Sequence, residues 1–209
     1  MSHCLLGIDA CNTMIKAVLF SLDGHVLSVA GRAGATHQPR AGYAERPIEA
    51  MWHDVSGAIT DCLQQAGDAG RRVIAMGVAG HGNGLYALDP RQQPVIGIQS
   101  IDSRADALVR ELERQGKHEA IYQRSLQTPW AAATPLLMSW LKRHDAALYR
   151  RIAHVLCAKD VISHFLCGSL TGDYSDVAGA GLIDYRRRGY DRELMALYDL
   201  PDALALPPV

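Results

Sequence analysis

The residues best placed to do chemistry stand near the start of this 209-residue chain. In LLGIDACNTMIKAVLFSLDG, residues 5–24, two strand-like runs flank a short turn of small and polar residues. Asp9 ends the first run and Lys16 stands just past the turn. With the turn centred near Asn12 and Thr13, acid and base face each other across the mouth of a hairpin. One reading is a cross-strand ion pair, worth about 0.2–1 kcal/mol. The other is a polyphosphate site, in which turn amides and a hydroxyl hold phosphate oxygens, Asp9 holds a metal ion and Lys16 reaches a phosphate. On these residues alone the ion pair is the simpler reading.

Two further patterns invite chemistry and fail on spacing. Gly80-His81-Gly82-Asn83-Gly84 follows an apolar run, as a dinucleotide-binding loop would. That motif needs a helix starting inside the loop, and here five apolar-rich residues, LYALD, lead straight to Pro90. His154-x-x-Cys157 and His164-x-x-Cys167 suggest zinc, but HVLCA reads as a strand, where an offset of three sends side chains to opposite faces. Core packing is the expectation for these four residues. The five cysteines form no C-x-x-C, and without an evident export signal they read as reduced thiols, mostly buried, in a cytoplasmic protein.

The elements that must position these residues follow from periodicity. A third strand, HVLSVAGR, comes after Asp23-Gly24. From Pro47 to Gly67, apolar residues Ile48, Met51, Val55, Ala58, Ile59, Cys62 and Leu63 recur at helical spacing, with Pro47 suited to a first turn. VIAMGVAG is a continuous apolar run, expected as a strand buried on both faces. A short strand ends near Ile101, and Ser103 is a candidate cap for the helix after it. Further helices are expected near 117–127, 135–142, 146–152, VISHFLCG and DRELMALYDL, with Gly168 as a helix stop. SLQTPWAAATP reads as a loop carrying Trp130, either packed on the domain or facing a ligand. TGDYSDVAGAG reads as a loop, and LIDYR as a strand. Antiparallel strands first, then alternating strands and helices, point to an α/β fold with a mixed sheet.

Composition sets outer bounds. At 48% hydrophobic residues and a net charge of -1, the chain can bury a core and shows no basic stretch for nucleic acid or a membrane surface. No apolar run approaches the ~20 residues of a membrane span.

Taken in order, GID…K…LF…DG, GYAERPIEAMW, MGVAGHGNGLYALD, IDSRA, AKDVISHFLCGSLTGDYSDVAGAGLID and the terminal LPPV resemble the N-terminal domain of the FGGY carbohydrate kinases. Within that family, GHGNGLYALD and TPW are most similar to the L-xylulose kinases. The resemblance covers residues 1–209 and implies a ribonuclease H-like domain of the actin and Hsp70 superfamily. It implies transfer of the ATP γ-phosphoryl group to a sugar or polyol hydroxyl, with Mg2+, in a cleft between two such domains. Carried over, Asp9 helps place the magnesium, Thr13 lies against the ATP phosphates and Lys16 faces the transferred group. His81, Gly82 and Asn83 line the sugar pocket, Asp102 lies by the sugar with Arg104 to orient it, and Trp130 forms pocket wall. The resemblance assigns the catalytic base and most of the adenosine site to a C-terminal ATP-binding domain that is absent from this chain. It also exposes a departure: family members usually carry glycine and then Thr or Ser in the first turn, whereas Cys11-Asn12-Thr13 puts a Cβ on the phosphate approach. A non-catalytic sugar-binding module with a kinase half-fold is the alternative. A mixed sheet cut at a domain boundary would expose an apolar interface, so a homodimer is left open.

Overall fold

The computed structural model describes residues 3–200, 206 and 208, so half of the terminal LPPV motif lies outside the described residues. Three strands open the chain, β1 (Cys4–Ala10), β2 (Met14–Ser21) and β3 (Val26–Ala33). The helix α1 (Ile48–Gln65) follows, then a 3-10 turn at Gly67–Arg72 and β4 (Val73–Gly80). Together the strands make a mixed sheet in the order β3-β2-β1-β4, antiparallel except where β4 runs parallel to β1.

Alternation along each strand sends Cys4, Leu6, Ile8, Ile15, Ala17 and Leu19 into the core, each at most 3% exposed. They pack against the α1 stripe Ile48, Met51, Val55, Ala58 and Cys62 that the periodicity predicts. The opposite sheet face is open: Leu5, Leu27 and Val29 are 38, 44 and 51% exposed. The expected double burial of β4 is overturned, because β4 is an edge strand with Ile74 and Met76 more than half exposed.

Double burial belongs instead to the next strand. β5 (Leu85–Leu88), β6 (Pro94–Ile98) and β7 (His154–Leu156) form a separate antiparallel sheet ordered β6-β5-β7. Tyr86 and Leu88 of β5 join the α1 core, while Leu85 and Ala87 join a second core. That second core is built on α2 (Asp106–Arg114), α3 (Lys117–Ser125) and α4 (Thr134–His144), with α5 (Ala146–Tyr149) alongside. The mixed sheet expected is thus the first one, and the later strands form their own antiparallel sheet beside it.

After β7 come α6 (Ala158–Cys167), ended by Gly168 at φ 77°, and α7 (Tyr174–Gly179). The α7 segment was expected as loop; it is helical because the Asp173 carboxylate caps it, accepting from the Ser175 and Asp176 amides. LIDYR contributes only β8 (Ile183–Asp184), paired with β9 (Gly189–Tyr190), before α8 (Arg192–Leu197). All five cysteines are free thiols; Cys4, Cys62 and Cys157 are buried, Cys11 and Cys167 exposed. No helix among the described residues is long and apolar enough to cross a membrane.

The two faces of the first sheet give a direct test of this packing. Ile15→Ala, at a fully buried position, is expected to cost about 2–5 kcal/mol in urea denaturation. Val29→Ala on the open face is expected to stay within about 0.5 kcal/mol; equal losses would contradict the one-sided core.

Candidate active site

The site forms where β1 and β4 end side by side. Their parallel register pairs Asp9 with Ala79 and Ala10 with Gly80, and the His81 amide donates to the Ala10 carbonyl at 3.3 Å. This brings the Cys11–Thr13 turn and the 80–84 loop to one edge, the carboxyl ends of neighbouring parallel strands. Gly80 permits the approach: a Cβ there would lie 3.3 Å from the Lys159 amide nitrogen.

Asp9 and Lys16 are register partners across the hairpin, as the turn position predicts. They do not form the expected ion pair; among the described residues, the only hydrogen bond made to the Asp9 carboxylate is from the Cys11 thiol, at 3.2 Å. That bond, with lesser help from burial, holds the thiol pKa above its ordinary value, so Cys11 is a donor there and not a thiolate. Lys16 and Thr13 are exposed, and Asp9 is half-buried. The missing glycine does not distort the turn: Cys11 and Asn12 are not among the residues at positive φ.

Asn12 ties this turn to the end of β6. Its side-chain amide donates to Ser100 Oγ at 3.0 Å, and its carbonyl accepts from Gln99 Nε2 at 3.0 Å. Gln99 is fully buried. Sequence reasoning passed over Gln99 and Ser100, although both stand immediately before the IDSRA motif.

The 80–84 loop turns left-handed at Asn83 and Gly84, φ 59° and 75°, not at Gly82. Asparagine suits that conformation better than most side chains. Gly82 instead gives room, since a Cβ there would sit 3.3 Å from Asp176 Oδ1. Gly84 donates to the Ala132 carbonyl at 2.9 Å and its own carbonyl accepts from Thr134 Oγ1 at 2.8 Å. These bonds seat the segment carrying Trp130, 41% exposed, against the loop. His81 Nε2 lies 3.0 Å from the hydroxyl of the buried Tyr86. Burial lowers the His81 pKa, and the Arg46 charge works the same way; the Gly82 backbone and Asp176 oppose both. Asn12 Oδ1, Asn83 Oδ1 and Gln99 Oε1 are buried without a hydrogen-bond partner among the described residues. Acceptors of this kind suit a ligand rich in hydroxyl donors.

Asp102 and Arg104 are placed differently from their expected sugar-side role. Asp102 is buried and accepts from the Ala44 amide, at 2.6 Å, and from the Arg104 amide, at 2.9 Å. Arg104 Nε and Nη2 bind the same carboxylate, and Nη2 also donates to Glu45 at 2.7 Å. The guanidinium is boxed by Tyr43 and Trp140, 4.1 and 5.3 Å from its carbon. Both polar groups are therefore committed to a structural clamp.

The described residues hold one group of three side chains spaced for a metal, Cys157, Asp160 and Asp176, and Asp9 is not in it. Lys159 Nζ already lies 2.6 Å from Asp160 and 3.0 Å from Asp176. Its ammonium supplies the positive charge the carboxylates need, so this group reads as an ion-pair cluster beneath Gly82. Asp9 alone offers a single carboxylate, which suits a magnesium that keeps waters and phosphate oxygens as its other ligands.

Two measurements test this geometry. Asp102→Ala, which strands a buried Arg104, is expected to cost about 3–5 kcal/mol and lower the melting temperature sharply. Stability is also expected to fall as pH drops below 6.5, because unfolded His81 takes up a proton that the folded site resists. His81→Gln should flatten that slope in urea midpoints, and an unchanged slope would contradict the lowered pKa.

Comparison with known proteins gives this edge its context. A family model described as the N-terminal domain of the FGGY family of carbohydrate kinases matches residues 4–209. A probable L-xylulose kinase of Pasteurella multocida is 31% identical over 206 residues, 98% of this chain and 43% of that protein. Xylulose kinase from Rhodospirillum rubrum superposes with a TM-score of 0.92 at 26% identity, over 99% of this chain and 43% of that one. Gluconate kinase from Lactobacillus acidophilus reaches 0.92 at 20% identity, over 100% of this chain and 42% of that one, a likeness of fold alone. The chain spans less than half the length of these relatives. A family match running from Cys4 onward, on a fold of this closeness, means that the chain belongs to the FGGY family of carbohydrate kinases, as a ribonuclease H-like N-terminal domain.

Proposed function

We propose that the chain is the sugar-binding part of a longer, cytoplasmic kinase that moves the ATP γ-phosphoryl group to a hydroxyl of a ketopentose such as L-xylulose. The observation that carries this reading is the parallel β1–β4 pair, which sets the Asp9 and Lys16 hairpin beside the His81–Asn83 loop. A phosphate-side wall and a hydroxyl-binding wall at one edge are what in-line transfer between the two ligands requires.

When bound, MgATP supplies the transferable group and part of the neutralisation of its charge. On this chain, Asp9 would hold the magnesium, directly or through water, and Thr13 would donate its hydroxyl to a phosphate oxygen. Lys16, exposed and without a carboxylate partner within 4 Å among the described residues, is free to stabilise charge on the moving phosphoryl group. On the sugar side, His81 and Asn83 supply donor and acceptor atoms. Gly82 gives close backbone access, and the Trp130 ring gives an apolar wall. Asp102 and Arg104 act from behind, holding the Ala44–Glu45 segment through the clamp. The base that takes the hydroxyl proton is assigned to the downstream half.

The chain alone is expected to transfer no phosphate, and the chain joined to its downstream half is expected to phosphorylate L-xylulose with ATP. In the joined protein, Lys16→Met should lower kcat about a hundredfold, while His81→Ala should mainly raise the KM for sugar. A joined protein that binds sugar without transferring phosphate would favour the non-catalytic module, for which Cys11 at the phosphate approach is the supporting feature.

A further inference from the structure

Arg46 is sealed inside this fold, 2% exposed, and neither the hairpin nor the sugar loop uses it as a ligand contact. Its guanidinium meets one carboxylate, Asp54 of α1, at 3.0 Å. A second nitrogen, Nη1, points at the Cys11 carbonyl, 3.4 Å away in the turn between Asp9 and Lys16. Nε is buried with no hydrogen-bond partner among the described residues. A sealed arginine with an unpaired N–H costs free energy, so packing stability alone is a poor account of it.

Its surroundings point to another role. Gly34 lies against the guanidinium so closely that a Cβ there would come within 2.5 Å of Nη2. The Gly34 amide in turn donates to the Thr13 carbonyl at 2.9 Å. Arg46 therefore touches the turn at Cys11 directly and supports it at Thr13 through Gly34. On its backbone side, the Arg46 amide donates to the Gly97 carbonyl at 2.9 Å. Gly97 is the register partner of Tyr86, whose hydroxyl meets His81. One residue thus spans the phosphate-facing turn and the strand pair behind the sugar-facing loop.

We propose that Arg46 is a positioning residue: its sealed guanidinium fixes the Cys11–Thr13 turn in the form that receives phosphate, and locks that turn to the β5–β6 pair supporting His81. It touches neither ligand. The inference rests on the kinase reading above. The fork matters as well as the charge, because a lysine ammonium at the same place would have to choose between Asp54 and the Cys11 carbonyl.

The test uses the 209-residue chain and magnesium with inorganic triphosphate, followed by amide NMR shifts at Asn12 and Thr13. The wild type is expected to show saturable shifts there. Arg46→Lys, Arg46→Met and Gly34→Ala should each weaken the apparent affinity tenfold or more while cooperative thermal unfolding is retained. Gly34→Ala keeps the arginine and displaces it, so the test stands even if Arg46→Met does not fold. The readout that a merely structural role would not move is this affinity; the charge at position 46 is followed in the His81 imidazole titration, which faces Arg46, Asp176 and the Tyr86 hydroxyl. It should move to higher pH in Arg46→Met, where the cation is lost, and stay in place in Arg46→Lys. Wild-type binding with all folded variants within twofold overturns the inference alone. No shift at Asn12 or Thr13 in the wild type overturns the phosphate reading, and this inference with it.

Discussion

The parallel register between β1 and β4 is the constraint on which the rest of the molecule depends. Those strands are far apart in sequence, and a parallel pair needs a crossover long enough to bring the chain back to the same end. α1 is that crossover, and its apolar stripe covers the face of the sheet it crosses. Once β4 lies beside β1 with Gly80 against Ala10, the hairpin turn and the 80–84 loop must emerge together. The site is thus a product of topology before any side chain contributes.

The second sheet does a different job. β5 has one face in each core, so Leu85–Leu88 joins the two halves of the fold. Tyr86 of that strand reaches His81, and Gly97 of its neighbour holds Arg46. Side chains at this edge are therefore steadied by elements that are themselves immobilised by burial. The Asp102–Arg104 clamp extends the same principle outward, locking the 44–45 segment with a sealed ion pair and two aromatic rings.

Local pattern made much of this legible. The hairpin, the α1 stripe and the Gly168 stop follow from periodicity and turn chemistry, and the Asp9–Lys16 pairing follows from the turn position. Burial was read less well. VIAMGVAG looks doubly buried because its residues are apolar, yet it is an edge strand, and composition carries no information about which neighbours a strand acquires. The α7 helix was hidden because one aspartate cap, not an apolar period, sets it up. At the site, the β1–β2 turn and the 80–84 loop do meet at one edge, whereas Asp102 and Arg104 turn toward each other. Arg46, Gln99 and Ser100 went unnoticed because each acts through a partner distant in sequence: Cys11, Asn12 and Asn12 again. No spacing rule reports such a pairing.

Asn83-Gly84 carries a consequence for the chemical lifetime of the loop. Asparagine followed by glycine is the dipeptide most open to loss of ammonia, because an unhindered glycine nitrogen can attack the side-chain carbonyl. Here that nitrogen donates to Ala132 at 2.9 Å, and the Gly84 carbonyl is held by Thr134. The backbone freedom needed for ring closure is removed by the same two bonds that seat the Trp130 segment. Anchoring the loop to α4 thus protects the Asn83 amide, and loosening that anchor would age the loop by converting Asn83 to an acid.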